Sequence, residues 1–216
     1  MTQRHDDARR VRVAFDGRLP HARWGPLFHV FRLEHPEVRL EWRPAPLPAR
    51  DRPLLDGADV GLMLEPPPEP GVSALTLDTS PMVVIVAAGD PLAHHDELSV
   101  ADLLDCPFPG APSLHPEWTA FWTLDALRGS PPTFTDDDVR TTEDALAVVA
   151  AGRAIGTVPA WVAGGLSHPG LVAIPLREAP QARTSLVWHS GADDPLVRGL
   201  VDLAAAWVRL GRGDRL

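Results

Sequence analysis

The sequence has a single cysteine, Cys106, and no apolar run long enough to cross a membrane. One cysteine excludes an intrachain disulfide and is typical of proteins kept in a reducing compartment. A membrane-spanning helix needs about 20 mostly apolar residues. The N-terminal segment MTQRHDDARR lacks the apolar core of a signal peptide. These absences predict a cytoplasmic location and no membrane partner.

The chain also lacks an extended basic segment. Its 20 Lys and Arg residues are outnumbered by 29 Asp and Glu residues, which gives a formal net charge of −9. Proteins that bind the phosphate backbone of nucleic acids present a basic stripe. The nearest equivalent here is the short patch of Arg9, Arg10 and Arg12. We therefore expect no direct nucleic-acid binding by this chain.

Motifs of the common enzyme classes are missing as well. The sequence contains no HExxH, CxxC or GxSxG motif and no phosphate-binding glycine loop. The segment GRAIG at 152–156 joins a helix to a strand, the reverse of the order in a dinucleotide-binding turn. The adjacent residues His94 and His95 have no evident third metal ligand. The sequence therefore predicts a protein that is not an enzyme and has neither a cofactor nor a metal.

The sequence does contain strand-like apolar segments that alternate with amphipathic helices. Strand-like segments at 11–15 and 38–42 flank four apolar residues with helical spacing. These are Trp24, Leu27, Phe28 and Phe31. Further strands are expected at 59–64, 72–77, 82–88, 171–176 and 184–188, with a last helix after Asp194. The proline-rich segment at 44–53 is expected to be an exposed loop. This order predicts an α/β protein with parallel strands and right-handed crossovers.

The elements divide into two α/β halves. We predict lobe I at 11–86 plus 176–209 and lobe II at 87–175, with flexible tails at 1–10 and 210–216. The chain would cross to the second lobe near Ala87 and return near Pro175. Two crossing strands form a hinge, and a cleft between lobes is a favoured place for a ligand.

Four segments in this order resemble the effector-binding domain of LysR-type transcriptional regulators. They are FRLEHPEVRLEWR at 31–43, LLDGADVGLM at 54–63, MVVIVAAGDPLA at 82–93 with LSVADLLDCPF at 98–108, and TTEDALAVVAAGRAIGTVPAWVA at 141–163. The resemblance covers about residues 11 to 209. It implies the type 2 periplasmic-binding-protein fold, in which each lobe is a mostly parallel sheet flanked by helices. It also implies a small-molecule effector in the cleft and a homodimer, or pairing with a related regulator, whose arrangement the effector changes.

The family carries an N-terminal winged helix-turn-helix domain and a linker helix, to which no segment of this sequence corresponds. We therefore expect either a part of a longer regulator or a free-standing effector domain. A free-standing domain could act as an interaction module that pairs with a full-length regulator. A solute-binding protein of a transporter would share the fold, but the missing signal and lipid-anchor cysteine argue against that alternative.

The resemblance places the effector between strand ends and helix starts of both lobes. Unpaired backbone N–H groups at helix starts suit a carboxylate or another anion. The candidate ligand-binding residues in this sequence are Gly17, Arg18, Leu19, Glu65, Ser80, Ser113, Trp118, Thr141 and Thr142.

Most of these residues have a purely structural alternative. Thr141 is expected to cap its helix together with Asp144, which leaves Thr142 to face the cleft. Arg18 either clamps a carboxylate, which would make the effector an organic anion, or is a solvated loop residue. Glu65 either reaches a ligand amine or hydroxyl or lies in water. Trp118 is a candidate for covering an aromatic effector.

Trp122 follows Trp118 by one helical turn and is expected to pack within its lobe.

Overall fold

The structure, a computed structural model, describes residues 9–16, 21–166 and 168–211. Gly17, Arg18 and Leu19 lie outside the described residues. The strands are β1 Arg10–Asp16, β2 Arg39–Ala45, β3 Val60–Leu64, β4 Val72–Ser80, β5 Met82–Ala87, β6 Pro107–Phe108, β7 Thr133–Phe134, β8 Gly156–Pro159, β9 Leu171–Pro175 and β10 Ala182–His189. The α-helices are α1 His21–Glu34, α2 Pro116–Trp122, α3 Asp125–Arg128, α4 Thr142–Ala150, α5 Ala160–Gly164 and α6 Pro195–Arg209. Short 3-10 helices span Pro91–His94 and Val100–Leu103.

The first lobe is built on a five-stranded sheet in the order β2-β1-β3-β10-β4. β1 is parallel to β2 and β3, whereas β10 is antiparallel to β3 and β4. Trp24, Leu27 and Phe31 of α1 are buried against this sheet, as their helical spacing predicts. Leu200 and Ala204 of α6 join the same core. The last helix therefore returns to the first lobe and closes it.

The second lobe contains a three-stranded sheet, β8-β5-β9, and a two-stranded sheet, β6-β7. β6 and β7 are parallel, whereas β5 is antiparallel to both of its neighbours. Val84 and Val86 of β5 pack in one apolar cluster, and Val83 and Ile85 pack in another on the opposite face. Burial on both faces explains why this strand is apolar almost throughout.

The chain passes from the five-stranded sheet to the three-stranded sheet at Pro81. Ser80 pairs with Ala182 in the first sheet, whereas Met82 pairs with Pro159 in the second. The crossing predicted near Ala87 lies at the other end of β5. The apolar sequence of β5 gave no indication of which sheet it joins. We therefore propose a lobe boundary at Pro81, with the return between 175 and 182.

An ion pair between Arg12 and Asp59 fixes the start of the first sheet. The Arg12 backbone N–H donates to Asp59 Oδ2 at 2.7 Å, and Arg12 Nη2 donates to Oδ1 at 2.8 Å. Burial acts to raise the pKa of Asp59, but the hydrogen bonds from the Arg12 side chain and backbone outweigh it and hold the pKa below its ordinary value. The ionised carboxylate therefore stabilises the folded chain.

We expect Asp59→Asn to lower the free energy of unfolding by about 1 kcal/mol at pH 7, because both groups are partly exposed to solvent. A lowered folded-state pKa gives stability that is present above the unfolded pKa and is lost as the pH falls through the folded value. The difference between wild type and variant should therefore shrink below about pH 4. Urea unfolding at several pH values measures it. Asp96→Asn, at an exposed loop carboxylate, is the control, and a loss that is equal at every pH would contradict this account.

Candidate functional site

A cavity of about 120 Å³ lies where the two lobes meet. Leu47, which follows β2, and Leu64, at the end of β3, line it from the first lobe. The remaining walls come from the second lobe, mainly from α2, α4 and β8. The cavity is therefore formed jointly by both lobes, although the second lobe supplies most of its surface.

Helix α2 contributes aromatic side chains to this cavity. Pro116 occupies the first turn of the helix, where its missing N–H is tolerated. The rings of Trp118 and Trp122 lie with their centroids 5.7 Å apart, and Phe121 meets Trp122 edge to face at 5.0 Å. The helix ends at Trp122, and Leu124 takes a left-handed conformation with φ of 61°. Trp122 contacts the main apolar cores of both lobes, rather than packing within its own lobe alone as predicted, and it also lines the cavity.

Helix α4 also forms part of the cavity wall, and its start is held by a capping box. The Asp144 backbone N–H donates to Thr141 Oγ1 at 3.1 Å, and the Thr141 backbone N–H donates to the Asp144 carboxylate at 3.0 Å. These contacts confirm the predicted cap. The Thr141 side chain and the backbone N–H of Arg140 also lower the pKa of Asp144. Thr142, the first helical residue, lines the cavity.

Most polar groups in the cavity wall already have a protein partner. Trp118 Nε1–H donates to the Leu64 carbonyl at 3.2 Å, which connects the lobes. Thr123 Oγ1 donates to the Thr119 carbonyl, and Thr157 Oγ1 donates to the Trp122 carbonyl. Of the side chains that line the cavity, those of Thr119 and Trp122 each have a buried polar atom without a hydrogen-bond partner among the described residues, Oγ1 and Nε1 respectively. Residues outside the wall, such as Trp24 and Trp161, have buried atoms of the same kind.

Residues 47–50, which we call the strap, connect the first lobe to the second beside this cavity. The segment was expected to be an exposed loop, yet its backbone pairs with the second lobe. The contacts are Leu47 N–H to the Arg140 carbonyl at 3.4 Å, His115 N–H to the Pro48 carbonyl at 2.9 Å, Arg50 N–H to the Ser113 carbonyl at 3.1 Å and Arg50 Nε–H to the Leu114 carbonyl at 3.0 Å. Movement of one lobe against the other would therefore break these hydrogen bonds.

Glu65 lies at the end of β3 with only 5% of its surface exposed. Its carboxylate accepts hydrogen bonds from the backbone N–H of Arg183 and from the Arg183 guanidinium, with Nη2 at 2.8 Å. The hydrogen bond with Glu65 also raises the pKa of Arg183. Glu65 has a φ of 41°, a left-handed conformation that is uncommon outside glycine. The side chain thus holds β3 to β10, and a ligand would have to compete with Arg183 for it.

The two predicted serines lie away from the cavity wall. Ser80 is buried at the end of β4, where its hydroxyl donates to the Pro81 carbonyl at 3.2 Å. The Ser113 hydroxyl donates to the Asp138 carboxylate at 2.9 Å, next to the strap. Of the predicted residues that the structure describes, Trp118 and Thr142 line the cavity. The ligand-binding role of every predicted residue stays a prediction.

Sequence reasoning missed three residues that shape this cavity: Thr119, Ala145 and Leu47. The only local pattern that could have predicted Thr119 as a wall residue was its position three residues before Trp122, on the same face of the helix.

A sequence model of the family described as LysR substrate binding domain matches residues 4–209 of the 216-residue chain. The chain belongs to this family. Comparison with curated protein sequences gives no significant match.

Solved structures of LysR-type proteins share the fold of this LysR-type domain. The BenM effector binding domain with its effector benzoate is 22% identical, with a TM-score of 0.69 and coverage of 94% of each chain. CbnR, a LysR family transcriptional regulator, is 18% identical, with a TM-score of 0.67 and coverage of 93% of this chain and 70% of that chain.

The C-terminal domain of a probable LysR family transcriptional regulator from Rhodococcus sp. RHA1 is 21% identical, with a TM-score of 0.66 and coverage of 92% of this chain and 99% of that chain. These matches confirm the predicted two-lobed fold. Among the described helices, none is long and apolar enough to span a membrane.

Proposed function

We propose that this LysR-type domain senses a small-molecule effector and regulates transcription without catalysing a reaction. The observation that carries the proposal is the cavity bounded by Leu47 and Leu64 on one side and by α2 and α4 on the other. A ligand in this position touches both lobes at once. The BenM relative is described as a domain that binds the effector benzoate, which supports a similar role here. We also propose that the domain works in the cytoplasm.

The mechanism follows from the contacts between the lobes. The strap and the hydrogen bond from Trp118 to Leu64 hold the lobes together. An effector that fits the cavity in this arrangement stabilises it relative to a more open one. The shift in population is limited by the difference in the effector's affinity for the two arrangements. We propose that this shift changes how the domain pairs in a homodimer or with a related regulator.

The predicted polar contacts belong to the same proposal. Thr142 lines the cavity at the start of α4 and offers a hydroxyl group. The expectation of an organic anion depends on Arg18, which lies outside the described residues.

Thermal unfolding against a panel of small carboxylates, aromatic compounds, amino acids and sugar phosphates tests the function. A ligand at ten times its dissociation constant adds about 1.4 kcal/mol of stability. For a chain of this size we expect the melting temperature to rise by about 3 to 6 °C. A panel without any stabilising compound would contradict sensing and direct attention to pairing with a full-length regulator.

A further inference from the structure

We propose that a second cavity, on the first lobe, binds a small monocarboxylic acid with an apolar body. This cavity lies beneath the segment that joins β2 to β3 and has a volume of about 240 Å³. Arg43 and Arg52 would bind the carboxylate at its rim. The site goes beyond the proposed function and does not depend on it, because the cavity between the lobes is a different space, although Leu47 and Leu64 contribute to both walls.

The floor of the second cavity is apolar and buried. Ala14 of β1, Met63 of β3 and Leu55 of the joining segment pack in one apolar cluster, and each is at most 5% exposed. Successive side chains of a strand point to opposite faces of the sheet, so this cluster lies on the face away from α1, whose side chains pack with Val13. The floor would receive the apolar part of a ligand.

The rim of the second cavity is charged and open to solvent. Arg43 is the register partner of Ala14 in the parallel pair of β1 and β2, which places both side chains on the same face of the sheet. Arg52 and Asp56 belong to the joining segment, and all three charged residues are exposed. Arg43 Nη2 lies 3.7 Å from Glu41 Oε2, beyond hydrogen-bond distance. Among the described residues, Arg52 has no ion-pair or hydrogen-bond partner. Both guanidinium groups are therefore available to donate to a carboxylate.

This arrangement indicates an amphipathic anion with a single charge. A guanidinium can bind a carboxylate through two parallel hydrogen bonds. At an exposed rim the carboxylate keeps part of its hydration, so binding does not require the desolvation that a buried ion costs. The carboxylate of Asp56 in the same wall repels a second negative charge. One carboxylate on a ring or a short chain therefore matches the site better than a dicarboxylate or a phosphate ester does.

Hydrogen bonds hold the joining segment in place over the sheet. The Leu54 backbone N–H donates to Glu69 Oε2 at 2.9 Å, and the Ala58 N–H donates to the Leu55 carbonyl at 2.7 Å. The strap attaches the beginning of the segment to the second lobe. The walls of the second cavity are therefore formed before a ligand arrives, as is usual for small-molecule sites.

Three compounds of similar shape test the proposal by isothermal titration calorimetry of the full 216-residue chain. They are cyclohexanecarboxylate, its neutral amide cyclohexanecarboxamide, and the cation cyclohexylmethylammonium. We expect the carboxylate to bind about 10-fold more tightly than the amide, because a charged acceptor makes the stronger hydrogen bonds, and we expect the cation to bind most weakly. Raising the ionic strength from about 0.01 M to about 1 M shortens the Debye length from about 30 Å to about 3 Å and should remove most of this preference.

Four variants assign the contacts. Arg43→Gln and Arg52→Gln should each weaken binding of the carboxylate by about 3- to 10-fold and leave binding of the amide within about 2-fold of wild type. Asp56→Asn should strengthen binding of the carboxylate by about 2- to 5-fold, because it removes a negative charge. Asparagine tolerates the left-handed backbone at this position, where φ is 35°. Arg39→Gln is the matched control, since Arg39 is exposed on the same strand but lies outside the cavity wall. Circular dichroism verifies the fold of each variant.

The outcomes separate this inference from the proposed function. It is supported by a carboxylate preference that is reduced in Arg43→Gln and Arg52→Gln but kept in Arg39→Gln and in Ala145→Met, which fills the cavity between the lobes. Equal binding of carboxylate and amide, binding of none of the three compounds, or an equal effect of all three arginine variants overturns it and leaves effector sensing untouched. If Ala145→Met removes the binding and the arginine variants do not, the compound occupies the cavity between the lobes, which overturns this inference and supports the proposed function.

Discussion

Gly110→Ala is expected to lower the free energy of unfolding by about 3 kcal/mol. A Cβ atom on Gly110 would lie 2.2 Å from the Asp137 carbonyl oxygen and 2.3 Å from the Thr135 carbonyl oxygen. Both are backbone atoms, so no side-chain rotation can relieve the clash. The Val139 N–H also donates to the Gly110 carbonyl at 2.8 Å. Separating these segments breaks that bond and exposes buried Val139, which lines the cavity.

Thermal and urea unfolding measure this effect, and we expect the melting temperature to fall by about 6 to 12 °C. Gly89→Ala is the matched control in the same lobe, because a Cβ there meets nothing within 4 Å. That variant should stay within about 1 kcal/mol of wild type, and any change is expected to be stabilising. A Gly110→Ala protein as stable as the Gly89→Ala protein would show that the 108–110 and 135–139 segments do not pack as described.

The features that were predicted most accurately from the sequence are those that depend on residues close together in the chain. The cap of α4 is one example, since Thr141 and Asp144 stand three residues apart and bond each other directly. The buried face of α1 is another, because its helical spacing shows in the sequence. The family resemblance added the two-lobed fold, which periodicity alone does not establish. Each of these signals lies within one element or within a recognisable order of elements.

Features that depend on distant contacts could not be predicted in this way. Glu65 was a candidate for meeting a ligand or water, yet its partner, Arg183, lies 118 residues further along the chain. The strap lies within the proline-rich segment 44–53, which was expected to be an exposed loop, and no local pattern shows that the backbone groups of Leu47, Pro48 and Arg50 bond the second lobe. Thr119 and Trp122 are seen to line the cavity only once the tertiary packing is known. The cavity arises from tertiary packing.

The strap and the cavity depend on each other physically. Leu47 belongs to both, because its backbone N–H bonds Arg140 and the residue lines the cavity. Leu64 likewise lines the cavity while its carbonyl accepts from Trp118. Any change in cavity filling therefore acts on residues that already connect the lobes. In the mechanism that we propose, these shared residues would connect ligand binding to the relative position of the two lobes.

Filling the cavity from within should weaken effector binding. Ala145 of α4 lines the cavity, and we expect Ala145→Met to weaken binding of any ligand there by about 5- to 150-fold. A methionine side chain at this position occupies the volume that the ligand needs. Overpacking of this kind opposes binding by about 1 to 3 kcal/mol, and every 1.4 kcal/mol is a tenfold change in affinity. Isothermal titration with the best compound from the thermal panel measures the loss.

The free energy of unfolding of the Ala145→Met protein distinguishes a loss of binding caused by a filled cavity from a loss caused by a damaged fold. Methionine is flexible and favours helices, so the unliganded Ala145→Met protein should keep its free energy of unfolding within about 1 kcal/mol of wild type. Ala147→Met makes the same change on an exposed position of the same helix and should leave both binding and stability unchanged. If the folded Ala145→Met protein binds the effector as tightly as the Ala147→Met protein does, the effector does not occupy this cavity, and another part of the domain must bind it.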